Sequence, residues 1–353
     1  MSMHNLITGI QQAGIGVTDA KEVKLYYRDL FGMNVQLFDD NAEASLMTKY
    51  TGSQVHNRRA ILSLNMNGGG GFEIWQFTSR KASHPIADPQ LGDIGIFAIK
   101  IKSPDVEAAH NYYSLIPSVT VSSLMDSPDD RKHFWLKDKF GNHFNIVEGD
   151  EWFKTCKEIC GGVVGAVIGV TDMQKAIHFY KDVLGIHETV YSGTAPMLDV
   201  PDKRVEGEIF HRVLLKKQLA NHGAFSKLLG SVQIELIEAK SLKPKKIFAN
   251  RYWGDCGFIH LCFDVLQMDE LKEICLQAGY PFTVDSKNSF SMGQSAGRFC
   301  YVEDYDGTLI ELVETHIVPV FKKLGIYFNL KKRKHNRPLP NWMINLLAIN
   351  KIR

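Results

Sequence analysis

Two strand-like runs each carry one side chain that is costly to bury. In GFIHLCFDV, Gly257 to Val265, the ring of His260 sits among apolar neighbours. In GTLIELVET, Gly307 to Thr315, Glu311 does the same. An imidazole and a carboxylate brought to one place can hold a divalent cation or move a proton. Taken singly, His260 reads as a hydrogen-bonded core group and Glu311 as a residue facing solvent. The pair gains a chemical role only if distant elements bring them together.

Those elements recur along the chain. AGIGVTDAKEVKLYYRDLFGM from Ala13 matches AVIGVTDMQKAIHFYKDVLGI from Ala166 at nine of twenty-one positions. Each copy reads as a strand, a helix capped at Thr18-Asp19 or Thr171-Asp172, and a stop at Gly32 or Gly185. WLKDKFGNHFNIVEG from Trp135 and YVEDYDGTLIELVET from Tyr301 share Asp138/Asp304, Gly141/Gly307, Val147/Val313 and Glu148/Glu314, each reading as a hairpin. Four units of strand, helix and about three strands follow, beginning near residues 8, 93, 163 and 256. Units one and two fill residues 1–150, and units three and four fill 160–316. GDEWFKTCKEICGG joins them as a connector with a helical middle, in which Cys156 and Cys160 are read as core filling.

The 353 residues leave room for a substantial core, and 44% apolar with 23% charged residues excludes wholesale disorder. A net charge of +2 argues against nucleic acid as a partner for the whole body. No apolar run reaches a membrane span, and the start lacks a signal-peptide pattern. A reducing cytoplasm is the expected location.

The unit, with a first strand ending in V-x-D, a helix carrying F/Y-Y-x-D-x-L-G, and a close of D-x-D-G-x-x-I-E-L as in EDYDGTLIEL, resembles the vicinal oxygen chelate superfamily. That superfamily includes glyoxalase I, bleomycin resistance proteins and extradiol dioxygenases, and the likeness covers about residues 8–316. It implies an α+β fold of four βαβββ modules, paired into two pseudo-symmetric halves whose curled mixed sheets form cups. In such a cup each unit offers one ligand from its first strand and one from its last. The resemblance places these at Gln12 and Glu73 in unit one, Ile96 and Asn145 in unit two, Gly165 and Glu235 in unit three, and His260 and Glu311 in unit four. Pairing unit three with four, as in ring-cleaving dioxygenases, would assemble Gly165, Glu235, His260 and Glu311. Pairing one with four, as in double-length glyoxalases, would assemble Gln12, Glu73, His260 and Glu311, the ligand set of animal-type glyoxalase I. The second pairing is the expectation.

That set would hold one divalent ion, Zn, Ni, Mn or Fe, and chelate the vicinal oxygens of a small molecule. The expected chemistry is that of an isomerase or lyase working through an enediolate, with Glu311 as proton carrier and Glu73 as its partner. Glutathione fits poorly, because positions that carry its partners in glyoxalase I are Gly16, Phe77 and Ala296 here. A larger or more apolar compound is expected, facing Gly16, Trp75 and Phe77. The alternatives are an extradiol dioxygenase, in which His211 would have to replace the imidazole missing at Gly165, and a metal-free binding protein of the same fold.

Other features read as structure. NGGGG, Asn67 to Gly71, lacks the Lys-Ser/Thr of a phosphate loop and suits a hairpin. HNRRA, His56 to Ala60, reads as a solvated strand start, with Arg58 or Arg59 able to meet an anion. Residues 317–353 carry nine Lys or Arg from Val320 onward and no acid, with Pro340 opening an amphipathic NWMINLLAI helix. This extension is expected to pack on its own body, cap the cup, dock on a second copy in a homo-oligomer, or touch an acidic membrane surface.

Overall fold

The structure, a computed structural model, describes residues 6–154, 158–287, 290–292, 295–321, 326–331, 333 and 337–352. Unit one runs β1 (Ile7–Gly16), α1 (Ala20–Phe31), β2 (Val35–Glu43), β3 (Asn57–Leu64) and β4 (Gly71–Phe77). Unit two runs β5 (Gly95–Ser103), α2 (Val106–Ser114), β6 (Val119–Val121), β7 (Met125–Asp126), β8 (Lys132–Asp138) and β9 (His143–Glu148). Unit three has β10 (Val163–Val170), α3 (Met173–Ile177), β11 (Glu188–Pro196), β12 (Ile209–Lys217), the short α4 (Ser226–Leu229) and β13 (Val232–Ala239). Unit four has β14 (Gly257–Val265), α5 (Met268–Gln277), β15 (Val284–Asp285), β16 (Phe290–Met292), β17 (Ser295–Glu303) and β18 (Leu309–Phe321). The extension adds β19 (Ile326–Asn329) and α6 (Asn341–Asn345).

Local chemistry accounts for the helix boundaries. Asp19 caps α1 by accepting from the amides of Lys21 and Glu22, and Gly32 closes it at φ 66°, a left-handed conformation that glycine adopts without strain. Asp105 and Asp172 cap α2 and α3 in the same way.

Two mixed sheets result, and each takes one unit from either half of the chain. One has the order β15-β17-β18-β14-β1-β4-β3-β2, joining units one and four through antiparallel β1 and β14. The other has the order β11-β12-β13-β10-β5-β9-β8-β6, joining units two and three. The two units within each half meet instead through their helices. Tyr27 of α1 donates to Asp138 of unit two at 2.7 Å, and Tyr180 of unit three donates to Asp304 of unit four at 3.0 Å. The repeated Tyr and Asp are thus two ends of one buried hydrogen bond. A single apolar core takes residues from all four units.

The glycine run Asn67–Gly71 is the β3–β4 hairpin turn, as its composition implies. Its Gly69 amide donates to the Leu228 carbonyl, and Gly70 bridges to Val163 of the other sheet. In the connector, the described residues flanking 155–157 are bends and extended chain rather than helix, and Cys156 lies outside the described residues. The extension does not separate at 317: β18 continues to Phe321 and pairs with β19. The helical end after Pro340 forms as expected, continued by a tight turn over Leu346–Asn350. It lies on its own chain, with Ile344 and Leu347 buried beside Val35 and Leu62. Among the described residues no helix is long and apolar enough to cross a membrane.

Candidate metal centre

β1 sits at the middle of the first sheet and fixes the site by register. Its Gly14 pairs with Glu73 on β4 and with His260 on β14. Its Gln12 pairs with Cys262 on β14, and Cys262 pairs in turn with Glu311 on β18. Alternation along strands then turns Gln12, Glu73, His260 and Glu311 to one face.

The four are brought together. His260 Nε2 lies 3.1 Å from Glu311 Oε2 and 3.3 Å from Glu73 Oε2, and Gln12 Nε2 lies 3.3 Å from Glu311 Oε2. The donor atoms of Glu73, His260 and Glu311 all fall within 4.8 Å of one another. Ligands about 2.1 Å from one ion at right angles are roughly 3 Å apart, so these separations suit adjacent positions of an octahedral site. All four residues are buried. Two buried atoms lack hydrogen bonds: Gln12 Oε1, and His260 Nε2, which is near both carboxylates but poorly aligned with either. These are the atoms with which an amide and an imidazole bind a cation.

The surroundings hold the imidazole in place. Tyr301 Oη lies 3.2 Å from His260 Nδ1, so an Nδ1 proton given to the hydroxyl would leave Nε2 free for a metal. Trp253 stacks near the ring at 6.2 Å and 19°. Burial alone would push the His260 pKa down, but the Glu311 and Glu73 carboxylates outweigh it and raise it to about 9. An acidic group that holds a proton this firmly on its histidine would also attract a divalent ion.

Sequence reasoning missed Gly14. A Cβ there would run into Cε1 and Nε2 of His260, so the ring occupies the space that a side chain would take. The signal was present in the repeat, since AGIGV in unit one becomes AVIGV in unit three, putting Val167 at the equivalent place. Tyr301 was missed too, and its counterpart in unit two is Trp135.

Residues 166–301 match the sequence model of the Glyoxalase/Bleomycin resistance protein/Dioxygenase superfamily. Over that stretch, somewhat over a third of its length, the chain is similar to this superfamily. Its fold is also that of solved structures. A Bacillus subtilis protein assigned as a dioxygenase aligns over 88% of this chain and 86% of its own, at TM-score 0.56 and 14% identity. A point mutant of glyoxalase I from Zea mays aligns over 87% and 93%, at TM-score 0.50 and 13% identity. No curated protein matches the sequence.

The second cup corrects one expectation. Ile96 was placed as the unit-two counterpart of His260, but the register shows that Ala98 is. Asp105 and Gln267 cap the helices after β5 and β14, and counting back from them aligns Ala98 with His260, while Ile96 joins the helix-side core. Asn145 and Glu235 do occupy the last-strand positions. Glu235 is already neutralised: Lys100 Nζ lies 2.5 Å from it, and Arg212 bonds its other oxygen. Burial opposes its charge, yet Arg212 and Lys100 hold its pKa down to about 2. Asn145 is taken by His133 Nδ1 at 2.8 Å. Fixed cations stand here where the first cup could hold a mobile one.

The remaining sequence candidates lie elsewhere or play structural parts. His211, on β12 of the second sheet, is 3.5 Å from Glu238 and joins neither carboxylate of the first cup. Arg58 and Arg59 pair with Asp40 and Asp39. Trp75 lines a hollow beside Glu73 and Glu311, as alternation predicts, and Phe77 packs against it. Gly16 does not open onto the cup, because a Cβ there would collide with the Asp255 carbonyl oxygen.

Proposed function

We propose that the chain is a divalent-metal-dependent enzyme of isomerase or lyase type, acting on a small molecule with two adjacent oxygens. The convergence of Gln12, Glu73, His260 and Glu311 from both ends of the chain carries this reading. When bound, the ion would supply Lewis acidity, drawing negative charge onto the chelated oxygens as a neighbouring carbon loses its proton. Glu311 is the proton carrier of choice, lining both hollows that adjoin the site, and Glu73 lines the same two. Tyr301 and Gly14 position the imidazole. The aromatic packing of Trp75, Trp253 and Tyr301 limits water around it. Zn, Ni, Mn and Fe all suit one nitrogen and three oxygen donors.

Metal analysis of protein purified without added metal tests this. About one divalent ion per chain, strongly reduced in His260→Ala and Glu73→Gln but kept in Glu235→Gln, is expected. Absence of metal after incubation with each of the four ions would sink the proposal. A second reading, a metal-free binder, draws on the raised His260 pKa: an imidazolium between two carboxylates offsets part of their charge without an ion. A ring-cleaving oxygenase is less favoured, because that chemistry wants two imidazoles and one carboxylate, the reverse of what converges here.

A further inference from the structure

We infer that the compound bound at the metal centre carries its chelating oxygens on an apolar body, and that α4 and the C-terminal extension, neither part of the repeated unit, build the wall that receives it. This rests on the metal reading above. A cavity of ≈ 830 Å³, counting its part open to solvent, has Gln12, Glu73 and Glu311 at one end. Apart from Gln11, Asp264 and Thr315, which Gln11 ties together by donating to the other two, the rest of its lining is mainly hydrocarbon: Leu62 and Leu64 from β3, Leu228 and Leu229 from α4, Val318 from β18 and Leu347 from the extension. A charged substituent lying against these leucines and Val318 would lose its hydration without gaining partners from them, whereas an aliphatic or aromatic one would shed water favourably.

This wall is anchored in place. The Leu228 carbonyl accepts from Gly69 at 2.7 Å, and Gly9 leaves room for α4, since a Cβ there would meet Leu229 Cβ at 2.6 Å. The extension is tied by the Leu339 amide to the Ala224 carbonyl at 2.9 Å, and by the Ile352 amide to Asn34 at 2.7 Å. Its Leu347 is buried between these ties. In consequence residues 339–352 act on substrate choice while standing apart from the metal ligands.

The test uses full-length, metal-loaded protein and two hydroxamates that chelate through the same pair of oxygens. Octanohydroxamate carries six more methylenes than acetohydroxamate, and each buried methylene is worth about fourfold in affinity. Burial of three gives a preference of about 50-fold by calorimetry. Leu347→Asp and Leu228→Asp should cut that preference to below about fivefold at unchanged metal content. If either aspartate variant fails to fold, Leu347→Ala and Leu228→Ala should still reduce it severalfold. Equal affinity of the two hydroxamates in the metal-loaded native chain overturns this inference alone, as does a preference untouched by the variants. Failure to take up metal overturns the metal reading, and this inference with it.

Discussion

At the scale of single residues, the centre depends as much on what is missing as on what is present. Gly14 contributes no atom to a ligand sphere, yet any side chain there would push the His260 ring off its two carboxylates. Gly14→Ala should therefore lower bound metal at least tenfold while the far-ultraviolet circular dichroism stays native, with metal analysis as the check. Tyr301 acts one step further out, through Nδ1. Tyr301→Phe removes the hydroxyl and keeps the ring, so metal affinity should fall about 10- to 100-fold in a competition titration, with stability little changed. An unaltered affinity would show that the hydroxyl does not orient the imidazole.

At the scale of elements, the two cups show one strand scaffold used in two ways. In the first, β1, β4, β14 and β18 present three oxygen-bearing side chains and one imidazole. In the second, the same strand positions present Glu235 already clasped by Lys100 and Arg212. Its carboxylate pKa is depressed, so its stabilising effect is full above the unfolded value near 4.5 and is lost as pH falls toward about 2. Glu235→Gln should leave buried Lys100 without a counter-charge and Arg212 with Asp199 alone, and cost about 3 to 5 kcal/mol in denaturant unfolding at pH 7. It should also remove the part of the acid-induced loss that wild-type protein shows between pH 4.5 and 2. Wild-type and variant curves that stay parallel through that window would mean the pair is not what the acid breaks.

Over the whole molecule, Gln12 and Glu311 are separated by 299 residues, so a bound ion would tie the first strand to the last of the repeats. An ion that binds only the folded chain stabilises it by about 2.7 kcal/mol at one hundred times its Kd. Native protein should therefore melt a few degrees higher with saturating metal than after chelator treatment. In His260→Ala that difference should vanish. The interleaving of units explains why the effect is global: the first cup contains both ends of the repeated region, and the halves before and after the connector each supply one wall.

The repeat, the α+β unit and the helix caps were legible from sequence, because alternation along a strand and capping at a helix end are local consequences of residue type, whereas the four donors as a set came from the resemblance. Gln12 and Glu73 were named through the family resemblance, which sets each at a fixed place in a motif of the unit. The pairing of unit one with four, expected from the completeness of its donor set and found in the first sheet, was not legible from local patterns. Either pairing satisfies the local patterns, and the choice rests on hydrogen bonds between β1 and β14, some 250 residues apart. Ile96 was misplaced for a related cause: without a valine to count from, only the aligned helix cap shows the register, and a slip of two residues preserves alternation. Folding also decided that Leu347 and Leu228 close the cavity, since a leucine on a short helix says nothing about which surface will cover it. Sequence determines what each strand offers and to which face, while only the packed chain determines what those faces meet.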